Sequence, residues 1–176
     1  QVPEAVIAFL SGVGKAWEGT TPDEYDAEVR AFLAATRHPR YDRPMTDLVY
    51  QPMLELFDFL RENHWRVFIC SGGGRDFMRV FCEEVYGVLR ENVIGSAPEF
   101  AYEDGRLVRQ NKLHGNISLG PGKLEHIYAR TGRTAPFAAG NGDVDLEMLQ
   151  EARFRLVVVH DDEEREYVVT AAAEKL

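Results

Sequence analysis

The sequence predicts an α/β protein, a parallel sheet with helices on both faces, joined to a small all-helical segment. Three observations predict it. Apolar runs that do not alternate, at residues 65–70 (WRVFIC), 136–139 and 154–159 (FRLVVV), read as strands buried on both faces. Stretches with helical apolar spacing separate them, the pattern of an α/β layer architecture. Polar and glycine-rich groups follow the strand ends or open the helices, which is where parallel sheets bind their ligands.

In chain order, residues 1–43 read as helical. Val6, Ile7, Phe9, Leu10 and Val13 make one apolar stripe. Thr21-Pro22-Asp23-Glu24 is a capping box, with Thr21 at N-cap, Pro22 at N1 and Glu24 at N3. The helix it opens carries Tyr25, Val29, Phe32 and Leu33 on one face and should end near His38-Pro39, because a residue before proline avoids the helical region. The polar stretch 37–44 is the expected boundary between a segment 1–43 and a core 44–176. Met53, Leu54, Leu56, Phe57 and Leu60 then mark a helix ending near Asn63, followed by the strand 65–70. Phe77, Met78, Val80, Phe81 and Val85 form the next helical stripe, with Gly87 as its stop. Residues 92–94 read as a strand, and Asp104-Gly105 as the turn of a hairpin. A helix opens after Pro121, a strand covers 136–139, a short helix 145–151, a strand 154–159 and a weak helix 170–176.

Composition excludes several functions. The formal net charge is −9, with acidic residues spread along the chain. Nucleic-acid binding needs clustered Lys and Arg to neutralise phosphates, so neither nucleic acid nor an anionic membrane is expected as a partner. No run approaches the roughly 18 apolar residues of a membrane helix. The two cysteines, Cys70 and Cys82, read as buried reduced thiols, which suits a cytoplasmic setting. The five histidines form no ligand motif.

Three motifs carry chemistry. In SGGGRD, Ser71 follows the strand directly, and Gly72 and Gly73 let the backbone approach a ligand and aim N–H groups at it. A ligand-free glycine-rich turn is the competing reading. A dinucleotide fingerprint fails at Phe77, and a nucleophile elbow fails at Ile69, so Ser71 reads as a hydrogen-bond donor rather than a nucleophile. Lys123 stands at a helix start, a position that disfavours cations unless an anion is near. In GNGDVD, Asn141, Asp143 and Asp145 follow a strand end and offer the hard oxygens that suit magnesium, although an acidic N-cap needs no metal. Arg75 and Arg79 read as solvated helix charges, with substrate selection as the alternative.

FICSGGG, a lysine opening a helix and AGNGDVDLEML, in this order, resemble the haloacid dehalogenase superfamily, nearest to its phosphoserine-phosphatase-like branch, whose last motif reads GDGxNDxxML. The resemblance covers about residues 45–160, and residues 1–43 resemble that branch's small cap. It implies a Rossmann-like sheet and a Mg2+-dependent phosphatase acting through a phosphoaspartyl intermediate on a small phosphorylated metabolite. Carried over by position, Ser71 binds phosphate with the Gly72 amide and Gly73 beside it, and Lys123 holds phosphate and nucleophile. Asn141 stands where many members have a magnesium-ligating aspartate, Asp145 supports the metal shell, and Asp143 occupies a variable position.

The sequence departs from the family at one point. The family's first motif, DxDx(T/V), supplies the nucleophilic aspartate on a central strand, and no such sequence precedes residue 45. Asp161-Asp162 lacks the spacing. That strand lies between the strands of Ser71 and Asn141, so without it two interior edges lose their partners. The expectation is therefore a further N-terminal segment in the native protein and little turnover from residues 1–176 alone. Two other functions share the motifs: a non-catalytic relative that binds a phosphate-bearing ligand or a protein, and a phosphotransferase.

Overall fold

The computed structural model describes residues 14–159. The stripe 6–13, Asp161-Asp162 and the helix expected over 170–176 lie outside them. The described residues form two compact units. One comprises 14–69, 74–93 and 97–115; the other comprises 70–73, 94–96 and 116–159. Residues 14–43 of the expected cap segment fall in the first unit. Among the described residues, no helix is long and apolar enough to cross a membrane.

The first unit begins with helix α1 (Pro22–Ala35). Its capping box forms as the sequence dictates: Glu24 N–H donates to Thr21 Oγ1 at 3.2 Å, and Thr21 N–H donates to Glu24 Oε2 at 2.8 Å. The apolar face lands where the spacing puts it. Tyr25 and Val29 are buried against Val80, with Trp17, Leu33 and Phe77 packed around them. Phe32 is 53% exposed, at the edge of that face. Helix α2 (Gln51–Glu62) ends at Asn63, as expected.

Two elements differ from the sequence reading. Strand β1 is Ile69–Gly74, so it contains the glycines, whereas residues 65–68 are not strand. A strand is defined by its neighbour, and β1 runs where β2 (Val93–Ser96) lies beside it. The helix expected across 77–85 is broken into α3 (Arg75–Arg79) and α4 (Cys82–Tyr86). Val80 is drawn into the Tyr25 cluster, whereas Cys82 packs with Val88 and Val93 in a second cluster with Phe57, Val67 and Ile69. One straight helix does not satisfy both. Gly87, at φ 61°, stops α4 as expected.

A buried ionic knot joins the elements of this unit. The Asp76 carboxylate accepts from Arg109 at 2.8 Å and from Arg75 at 2.9 Å, and pairs with Arg79 at 3.5 Å. The Arg109 guanidinium lies 3.9 Å from the Tyr25 ring centroid. This corrects the reading of Arg75 and Arg79 as solvated charges. Their side chains are 23% and 24% exposed, and Arg79 also donates to the Arg90 and Val93 carbonyls. The hairpin is as expected: β3 (Pro98–Glu103) pairs antiparallel with β4 (Arg106–Leu113). Asp104 and Gly105 have φ of 48° and 78°, the two positive values a type I′ turn requires.

The second unit holds residues 70–73 of β1, residues 94–96 of β2, helix α5 (Pro121–Thr131), β5 (Phe137–Gly140), α6 (Leu146–Glu151) and β6 (Phe154–Val157). Strands β5 and β6 are parallel in register Phe137 to Phe154. The mixture of helices with small sheets, one of them parallel, fits an α/β fold. Among the described residues the strands form three two-stranded sheets, β1–β2, β3–β4 and β5–β6, and β1 shares no backbone pairing with β5. The expectation that strands are covered on both faces does not hold for β6, where Phe154 is 54% exposed and Leu156 is 38% exposed.

Candidate functional site

The strand-end groups singled out in the sequence all fall in the second unit. Pro121 stands at N1 of α5, and the preceding Gly120 has φ 55°, which turns the chain into the helix. Gly120 N–H donates to the Val144 carbonyl at 2.9 Å, so the start of α5 is fastened to the GNGDVD turn. Gly122 must be glycine because a Cβ there would lie 2.0 Å from the Ile117 carbonyl oxygen.

Lys123 follows, and it is 5% exposed. Its ammonium lies 2.7 Å from Asp145 Oδ1 and donates to the Cys70 carbonyl at 2.8 Å. The carboxylate is thus the anion that a lysine at a helix start calls for. One side chain thereby links β1, at the residue before Ser71, with the turn after β5. Among the described residues no backbone pairing does so.

Asp145 organises that turn. Its Oδ2 accepts from the Asn141 N–H at 3.0 Å and from the Gly142 N–H at 3.3 Å. Gly140 makes room for it: a Cβ at that position would be 2.6 Å from the Asp145 Cβ. Both carboxylate oxygens are therefore engaged, one by the ammonium and one by the backbone. Ser71 is half-buried, and its Oγ accepts from the Gly73 N–H at 3.1 Å. Gly72 lies between them, and Gly73 is exposed. The structure thus brings Lys123, Asp145 and the Asn141 backbone into one hydrogen-bonded group that reaches the residue next to Ser71.

Oxygen donors on the GNGDVD turn suit a hard cation. Asp143 Oδ1 and Glu147 Oε2 are buried and have no hydrogen-bond partner among the described residues, an arrangement that costs free energy unless a cation or a donor meets them. They stand four residues apart, the spacing that puts side chains on one side of a helical turn. Among the described residues, no three His, Cys, Asp or Glu side chains gather as a metal cage. Magnesium does not require one, since it keeps several waters and uses one or two carboxylates.

Sequence reasoning missed two residues beside Ser71. Ser96, at the end of β2, and Ser118, before α5, are buried at 6% and 0% exposure. Ser118 Oγ lies 3.7 Å from Cys70 Sγ. Burial pushes the Cys70 thiol above its ordinary pKa, against the opposing pull of Lys123 and the Ser118 hydrogen bond. Both cysteines are free, as expected. The signal for Ser96 was faint: one hydroxyl closing an otherwise apolar strand, VIGS.

Two comparisons bear on this geometry. The family model described as haloacid dehalogenase-like hydrolase matches residues 11–150. Among curated proteins, none matches the chain.

Proposed function

Since the chain belongs to the haloacid dehalogenase-like hydrolases, we propose that it forms the phosphate-gripping body of a Mg2+-dependent phosphomonoester hydrolase. The reaction would proceed through a phosphoaspartyl intermediate on a small phosphorylated metabolite. The observation that carries this reading is Lys123, held between the Cys70 carbonyl at 2.8 Å and Asp145 at 2.7 Å. A buried ammonium fastened to the residue before Ser71 is a fixed positive charge near where phosphate oxygens would lie, and preorganised charge costs no reorganisation when the phosphoryl group moves.

In the proposed mechanism Ser71 donates its hydroxyl proton to a phosphate oxygen while its Oγ stays oriented by the Gly73 amide. The Gly72 amide faces the anion, Gly73 contributes through the N–H it gives to Ser71 Oγ, and Lys123 neutralises charge that builds on the transferring group. Asp145 holds the Asn141 backbone and keeps Lys123 in place. Asn141 would hold Mg2+ through its side-chain oxygen. Asp143 offers on the same turn an oxygen with no partner among the described residues, and Asp145 supports the shell through its grip on the backbone. When bound, the metal supplies charge neutralisation at the phosphoryl oxygens. The attacking carboxylate, a DxDx(T/V) aspartate, is not found in the expected place among residues 1–176. It would be delivered by a strand inserted between β1 and β5, which share no pairing among the described residues. Residues 1–43 are the proposed substrate-selecting segment.

The second reading is a non-catalytic relative that binds phosphate-bearing ligands. The asparagine at 141 favours it, because Asn lacks the full charge of a metal-ligating aspartate. Phosphate release from a panel of phosphomonoesters separates the two. The assay compares residues 1–176 with a chain extended upstream by its native sequence, each with and without Mg2+. The enzyme reading expects Mg2+-dependent release from the extended chain, abolished by Lys123→Ala, and almost none from 1–176. Full activity in 1–176, or an active Lys123→Ala variant, refutes the mechanism. An inert extended chain that still binds inorganic phosphate favours the binder.

A further inference from the structure

We propose that Ser96 is a positioning residue for the Ser71–Gly73 cradle, acting through the Gly72 carbonyl; the inference rests on the reading of that cradle as a phosphate grip. Three consecutive glycines carry no side chains to fix their peptide planes, and they lose more conformational freedom on ordering than any other residues. A side-chain restraint added to the β1–β2 pairing fixes their planes before a ligand arrives.

Ser96 supplies that restraint. Its Oγ accepts from the Ser118 N–H at 2.9 Å and donates to the Gly72 carbonyl at 3.4 Å. A hydroxyl has one proton. With Ser118 N–H occupying a lone pair, that proton is directed to Gly72, so the order of donors along the relay is fixed. In a trans peptide the carbonyl of one residue and the N–H of the next point in opposite directions, and no cis peptide occurs among the described residues. Tethering the Gly72 carbonyl toward Ser96 therefore turns the Gly73 N–H the other way, where it meets Ser71 Oγ at 3.1 Å. The Leu119 side chain closes the remaining freedom, since it fills the space a Cβ on Gly72 would need, at 2.4 Å. The relay Ser118 N–H, Ser96 Oγ, Gly72 carbonyl, Gly73 N–H and Ser71 Oγ thus runs from a wholly buried residue to the hydroxyl proposed to meet phosphate.

The test combines amide hydrogen exchange at Gly73 with a 31P titration of inorganic phosphate on the full chain, for wild type, Ser96→Ala and Ser96→Thr. Ser96→Ala should speed Gly73 exchange at least tenfold, leave the Gly142 amide protected, and weaken phosphate binding about tenfold. Ser96→Thr keeps the hydroxyl and should restore both. Unchanged Gly73 exchange in Ser96→Ala, or phosphate binding equal to wild type, overturns the proposal. A wild-type chain that does not bind phosphate at all refutes the phosphate reading instead, and Gly73 exchange then decides the positioning role alone. Should Ser96→Ala fail to fold, Ser96→Cys, near in shape but a poor donor, is read in its place with the same expected outcomes.

Discussion

Replacing Asp145 by alanine should destabilise the protein more than replacing Lys123 by methionine, and the two replacements together should cost less than their sum. The Lys123 and Asp145 side chains are 6% and 8% exposed and lie 2.7 Å apart. Removing one partner of a buried ion pair leaves the other charge uncompensated, at about 3–5 kcal/mol. Methionine keeps an apolar stem where the lysine methylenes packed, so Lys123→Met reports chiefly that lost charge. Asp145→Ala loses the same pairing and also orphans the part-buried Asn141 and Gly142 amides, each costing less than the about 1–3 kcal/mol of a fully buried unsatisfied group. The double variant has no lone buried ion, so its deficit falls below the sum by about 2–3 kcal/mol. Urea unfolding followed by circular dichroism, on the four proteins of the cycle, measures this. Single-variant losses each below about 1 kcal/mol, or additivity within about 0.5 kcal/mol, would refute the claim that this pair links β1 to the GNGDVD turn.

Gly122→Ala should cost about 3 kcal/mol or more, because its new Cβ would sit 2.0 Å from backbone that has little room to retreat; thermal unfolding checks it. Thr21→Ala should cost about 1 kcal/mol by opening the capping box, read from a urea midpoint with unchanged slope. Burial raises the Cys82 thiol from 9.0 to about 11, so folding favours its protonated form. That contribution, roughly 2–3 kcal/mol, is complete below pH 9 and is lost as pH rises from 9 through 11. Stability should fall over that window, and Cys82→Ala should flatten the fall; an identical slope in the variant would count against the buried-thiol account.

The legible parts of the fold were those whose causes are local. The Thr21 box, Pro121 at a helix start, Gly87 and the Asp104-Gly105 turn each depend on a few adjacent residues, and each appears where the pattern puts it. Less legible was anything decided by a neighbour distant in sequence. Strand β1 took in the glycines because β2 runs beside that stretch. The solvated reading of Arg75 and Arg79 failed because Asp76, on the same helix, is buried with Arg109, 33 residues on. No periodicity reveals such a partner.

By itself the sequence determined the locally signalled elements, the order of the three motifs and the chemistry of the groups at their tips. These follow from side-chain spacing and from what a hydroxyl, an ammonium or a carboxylate can do. Only the tertiary structure decided that Lys123 spends its charge on Asp145 and on the Cys70 carbonyl, 53 residues away, and that Ser96 reaches Gly72. A buried polar group takes whatever partner folding brings within about 3 Å, and that choice belongs to the packing of distant segments, not to any local stretch of chain.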